Sequence, residues 1–148
     1  MKTFFRSERG TSLIEFGLTA PMLAFFLIGL VETGRYARFA IMAASAARAG
    51  VQYGAQNLTT AVDNAGMIGA ARQDAQNLSG FTVTAKHFCS NNGGALQLCV
   101  ASGAPPSPTT VYYVQVQVSG TFNSLVNYPG LPSSLPVAGS AIMRVSNQ

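Results

Sequence analysis

Residues 11–31, TSLIEFGLTAPMLAFFLIGLV, form an apolar run of membrane-spanning length that contains a single acid, Glu15. At 1.5 Å of rise per residue a helix over this run is about 31 Å long, enough to cross the roughly 30 Å hydrocarbon core of a bilayer. One span, residues 11–31, is therefore expected. An ionised side chain at the centre of an inserting helix costs about 2.5–3.5 kcal/mol, and less within a turn of the end. Glu15 then has two readings: an acid that reaches back to the headgroups, or one whose cationic partner comes from another chain or from a newly made N-terminus.

The residues before the run bear on that choice. Residues 1–10, MKTFFRSERG, are short, polar and net positive, with Lys2, Arg6 and Arg9 against Glu8, and they stop at Gly10. A secretory signal peptide has a shorter apolar core followed closely by a small-x-small cleavage site. Here the first such site, Ala44-Ser45-Ala46, lies beyond the run and beyond Arg35 and Arg38, so residues 1–10 read as a leader of another kind.

The string Arg9-Gly10-Thr11-Ser12-Leu13-Ile14-Glu15-Phe16, followed by Pro21 and then Gly29, Glu32, Gly34 and Arg35, resembles the TadE-like minor pilins (pseudopilins) of the tight-adherence, or Flp type IVb, pilus system. TadF-like minor pilins have much the same N-terminus. The resemblance covers residues 9–50 and implies cleavage by a membrane prepilin peptidase between Gly10 and Thr11. It also implies assembly through Glu15 and Phe16, with Glu15 pairing with the N-terminal amine of a neighbouring subunit. The partners it implies are other Tad pilins and pseudopilins and an inner-membrane assembly platform. The expected location is the bacterial inner membrane, single-pass, with the C-terminal part periplasmic and a route into an extracellular pilus. A charge pair withdrawn from water is favourable only when both members meet, so Glu15 would favour registered assembly over a solitary helix.

Composition supports a tethered module. Charged residues are 9% of the chain, against about 25% in ordinary globular proteins, so neutral polar groups must solvate the surface. Removing residues 1–10 takes away Lys2, Arg6, Arg9 and Glu8, and lowers the formal net charge from +4 to +2. With no cluster of Lys and Arg left, nucleic acid is not an expected partner. Cations flank both ends of the run, so the positive-inside rule votes weakly on orientation.

Beyond the run, small or apolar residues continue at spacings of three and four: Ala40, Ala44, Ala47, Val51, Gly54, Leu58, Ala61, Ala65, Met67 or Ile68, Ala71, Ala75 and Leu78. They predict an amphipathic helical region over 32–79, and a helix unbroken from Thr11 to Gln56 would be about 69 Å long. Pro21 removes a backbone donor and is expected to bend the span. A break is expected near Asn57–Thr60, where Thr60-Ala61-Val62-Asp63 resembles a capping sequence, and an end at Ser79-Gly80.

After Gly80 the pattern changes to period two. Phe81–Phe88 and Val111–Val118 alternate and are rich in branched and aromatic residues, with Leu96–Val100 and Ala138–Val145 as shorter strands. Turns are expected at 90–94, 104–108 and 128–132. The fold class is α+β: a long N-terminal helix continuing into an amphipathic helix, packed by a small antiparallel sheet that forms the head over 80–148. So few residues cannot build a large core alone, and the sheet is expected to depend on the helix.

Cys89 and Cys99 are the two cysteines, a pattern that suits one disulfide in an oxidising compartment, with two unpaired buried thiols as the alternative. A bridge closing so short a loop stabilises by roughly 3 kcal/mol in the chain-entropy model. His87 would share a strand face with Cys89, but no third group orients such a pair, and two Cys with one His fall short of a closed metal site. Neither catalysis nor a metal or other cofactor is expected. Asn57-Leu58-Thr59 and Asn77-Leu78-Ser79 match a glycosylation sequon and read as caps or chance. Tyr112, Tyr113 and Tyr128 read as packing residues or as an adhesive surface. The alternative to a pilin is an uncleaved, membrane-anchored periplasmic binding or sensing module.

Overall fold

The computed structural model describes residues 9–76, 80–91, 94–99, 110–126 and 132–146. The leader up to residue 8, the second sequon and the expected turns around 104–108 and 128–131 fall outside these. The chain forms two compact units, Met1–Arg35 and Tyr36–Gln148.

Among the described residues three helices come first: α1 (Arg9–Gly54), α2 (Leu58–Val62) and α3 (Asn64–Asp74). The expected break is present, but its cap is Asn57 rather than Thr60. The Asn57 side chain accepts from the Thr60 N–H at 2.9 Å, and the Thr60 hydroxyl accepts from the Asn57 N–H at 3.2 Å, a reciprocal box that leaves Thr60 inside the turn. A second, unexpected break follows at Asp63, whose carboxylate accepts from the Gly66 N–H at 2.9 Å and starts α3. Helix α3 stops at Asp74, short of the expected Ser79-Gly80. Gly80 does take the left-handed conformation, with φ of 79°.

Four strands follow among the described residues: β1 (Thr82–Asn91), β2 (Gln97–Leu98), β3 (Thr110–Asn123) and β4 (Ser134–Arg144). They form one sheet in the order β2-β1-β3-β4 with every pair antiparallel. Strands β3 and β4 are longer than the alternating runs alone indicate. Pro136 lies within β4, where its missing donor is tolerated because β4 is an edge.

Within Tyr36–Gln148 the core lies between the helices and one face of the sheet. Val114, Val116 and Val118 of β3 are fully buried, with Val83 of β1 opposite Val118 and Val137 of β4 opposite Gly120. Helix α1 supplies Ala43, Ala46, Ala47 and Val51, α2 supplies Ala61, and α3 supplies Met67 and Ala71. The expected stripe is thus partly rephased: Ala43 and Ala46 join Ala47 in the core, while Ala40 and Ala44 sit at its margin and Leu58 and Ala65 point outward.

The direction of α1 on the sheet follows from its contacts. Phe39 meets Phe122 with ring centroids 5.4 Å apart, while a Cβ on Gly50 would lie 3.0 Å from Val116 and one on Gly54 3.3 Å from Val114. Helix and β3 therefore run antiparallel. From Tyr36 to Gly54 the helix rises about 27 Å, and from Phe122 back to Val114 the strand covers about 26 Å, so the two stay in step.

Candidate functional site

In Met1–Arg35 the apolar side chains of α1 pack on nothing among the described residues. Leu13, Phe16, Met22 and Phe26 are 74%, 68%, 74% and 67% exposed, and with the exposed Ile14, Leu18 and Phe25 they leave apolar side chains around most of the helix surface. A helix apolar on every side is matched to a lipid or protein surround rather than to water. It is long and apolar enough to cross a membrane.

Glu15 lies one turn into this surface and is exposed. Among the described residues no ion pair or hydrogen bond reaches its carboxylate. The hydroxyl of Thr19, one turn on, donates to the Glu15 carbonyl at 2.9 Å, which turns that hydroxyl back on its own helix. Ser12, Glu15 and Thr19 stand at i, i+3 and i+7 and form one polar strip in an apolar helix. Thr19 was legible only as part of that spacing.

Gly10 and Thr11 fall inside α1, next to its start at Arg9. Helix α1 continues through Pro21, whose missing N–H leaves the Gly17 carbonyl without its helical donor. Phe16 points outward beside Glu15. Where the apolar run gives way to polar residues, Arg35 donates to both Glu32 oxygens at 3.2 and 3.1 Å. The two were visible in the sequence as separate residues, and helical spacing brings them together.

Residues 10–52 match the family model described as TadE-like protein. Over this span the chain is similar to TadE-like proteins. The TadE-like segment takes in Gly10, Thr11, Glu15, Phe16, Pro21 and the Glu32–Arg35 pair, and ends within the part of α1 that packs on the sheet. No curated protein and no solved structure matches the chain.

The other sequence-derived residues lie in Tyr36–Gln148. Cys89 and Cys99 form a disulfide with Cα atoms 5.2 Å apart, inside the usual span of about 4.4–6.8 Å. The bridge ties β2 to β1 beside the Phe88–Leu98 pairing. With its sulfur so bonded, Cys89 cannot act as a nucleophile paired with His87. The register puts His87 opposite Val114 on the helix-facing side, and its Nδ1 is buried with no hydrogen-bond partner among the described residues. Among the described residues no group of three His, Cys, Asp or Glu side chains could hold a metal ion. Tyr112 packs partly against the core, whereas Tyr113 stands on the opposite face, level with Phe88 and Arg144.

The helical junction has its own polar contact. The Tyr53 hydroxyl donates to the second Asp63 oxygen at 3.0 Å, linking the last turn of α1 to the cap of α3. The Gly66 N–H and this hydroxyl hold the Asp63 carboxyl below its ordinary range. The same hydrogen bond, with the carboxylate charge beside it, raises the Tyr53 phenol.

Proposed function

We propose that this chain is a TadE-like minor pilin, or pseudopilin, that takes part in assembling a tight-adherence (Flp type IVb) pilus. The observation that carries the reading is the family match over residues 10–52, which starts at Gly10 and includes the lone acid of the apolar helix. A prepilin peptidase would cut after Gly10, leaving Thr11 as the new N-terminus. The apolar helix would hold the protein in the inner membrane, with Tyr36–Gln148 on the periplasmic side, where a disulfide persists. Pro21 is the point at which the span would bend.

Assembly would then run through α1. The exposed Glu15 carboxylate, with no ion pair to it among the described residues, is suited to the Thr11 amine of a neighbouring pilin. In lipid, where apolar surface gives helices little reason to associate, such a pair selects correct register. Partners would be other Tad pilins and pseudopilins, and the inner-membrane assembly platform.

The test is the N-terminal sequence and intact mass of the protein made with and without a cognate prepilin peptidase. A peptidase-dependent start at Thr11 is expected. A chain still carrying residues 1–10 in both samples would favour an uncleaved anchor bearing a periplasmic binding or sensing module.

A further inference from the structure

The turn end of the β3–β4 hairpin carries apolar side chains that the core does not use. Leu125 is 72% exposed, Val126 37% and Leu135 39%. Their place in the fold is informative. Leu135 pairs with Phe122, and Ser124 N–H donates to the Ser133 carbonyl at 2.9 Å, so all three residues lie at the end of the sheet where β3 stops and β4 begins. Phe122 in turn meets the ring of Tyr36, with centroids 5.7 Å apart and planes at 84°. Because α1 and β3 run antiparallel, the hairpin's turn end lies beside Tyr36 and the disulfide end lies beside Gly54.

Tyr36 is also where the chain enters this unit, five residues after Val31 closes the apolar run. Five residues reach at most about 18 Å however they are arranged. If residues 11–31 span a bilayer, the Tyr36 end of the unit is tethered close to its surface, and Leu125, Val126 and Leu135 are at that end. The charges are compatible with a headgroup layer. Residues 75–148 contain no Asp or Glu, and Arg38 lies next to the point of entry. An aromatic and a cation at the margin of a span, as Tyr36 and Arg38 are, suit the interfacial zone.

We propose that the β3–β4 hairpin is a second membrane contact, in which Leu125, Val126 and Leu135 enter the interfacial layer of the bilayer spanned by residues 11–31. The proposal rests on the membrane-spanning reading of that run. A span alone leaves the head free to swivel, whereas a second point of contact fixes which face of the sheet looks away from lipid. Interfacial apolar groups settle roughly 5–10 Å into the headgroup and acyl boundary, a depth that side chains at a turn can reach without burying the strands.

The chain has no tryptophan, so single reporters can be placed without background. The full-length protein would be reconstituted in phosphatidylcholine–phosphatidylglycerol vesicles, with and without lipids brominated at shallow or deep acyl positions. Leu125→Trp and Val126→Trp report the hairpin, Phe25→Trp reports the span, and Leu98→Trp reports the disulfide end. The expected result is a strong loss of emission from both hairpin reporters with shallow bromine, a strong loss from Phe25→Trp with deep bromine, and none from Leu98→Trp. Quenching of Phe25→Trp with hairpin reporters that behave like Leu98→Trp would overturn the hairpin contact and leave the span intact. Hairpin reporters shifted to the blue yet unquenched would overturn it too, since protein rather than lipid would then cover the turn. An unquenched Phe25→Trp would overturn the span reading and the contact together.

Discussion

Single residues set where the helices start and stop, and Asp63 shows how one side chain does so. Its carboxylate takes the Gly66 N–H through one oxygen and the Tyr53 hydroxyl through the other. Both donors favour the ionised form, so the folded carboxyl titrates below its unfolded value. For an acid lowered on folding, the stabilisation is complete above the unfolded value, near 4, and is lost as pH falls through the folded one. Asp63→Asn keeps a capping oxygen and cannot ionise. The variant should unfold with a shallower acid limb below about pH 4 than the parent, as read from thermal melts across a pH series. The Asp63 break escaped the sequence reading because nothing local distinguishes an Asp that caps from one that merely faces water. Tyr53, which holds its second oxygen, is ten residues away and arrives only through packing.

At the scale of elements, the close approach of α1 to the sheet depends on absent side chains. A Cβ on Gly139 of β4 would lie 2.5 Å from the backbone carbon of Ala43 and from the nitrogen of Ala44. Neither backbone can swing aside as a flexible side chain could. Gly139→Val should therefore destabilise by about 1–3 kcal/mol or more, measured as a lower denaturant midpoint of the full chain in detergent. Gly139→Ser, which adds less bulk, should fall between Val and the parent. The disulfide acts on the other edge, since β2 has two residues and, among the described residues, pairs with β1 through Phe88–Leu98 and Cys89–Gln97. Replacing Cys89 and Cys99 together by Ser should lower stability by roughly 3 kcal/mol, a loss that reductant reproduces in the parent and leaves unchanged in the variant. How much of this was legible depends on how distinct the residues are. Val114, Val116 and Val118 announce a half-buried strand because Gln115 and Gln117 separate them. Cys89 and Cys99 could be paired because there are no others. The helix that covers them is less readable: alanine falls on nearly every side of α1 after Ala40, so its periodicity carries little information about phase. Gly54 ends α1 under Met67, a residue that reaches it only after two further helical breaks.

For the whole molecule, the division into Met1–Arg35 and Tyr36–Gln148 separates two kinds of stability. The second unit owes its order to a core of alanine and valine closed between helices and sheet. In the first, the apolar run of α1 finds no such core, and its exposed leucines and phenylalanines are stable only in contact with lipid or another helix. Glu15 is the residue that tells these two surroundings apart. In lipid alone its carboxylate is a cost of at most a few kcal/mol, reduced by its position near the end of the span. Opposite an amine of a neighbouring subunit it becomes the favourable member of a pair that lipid cannot supply. Glu15→Ala removes the cost and the pair together. Membrane extraction profiles should thus show the variant inserted as well as the parent or better, while recovery of co-expressed Tad pilins on the affinity-tagged chain should fall severalfold. Glu15→Asp retains the charge on a shorter stem and should recover part of that loss. Equal recovery of partner pilins with the Ala variant would mean that Glu15 only reaches toward the headgroups, and that association is carried by the surrounding apolar surface.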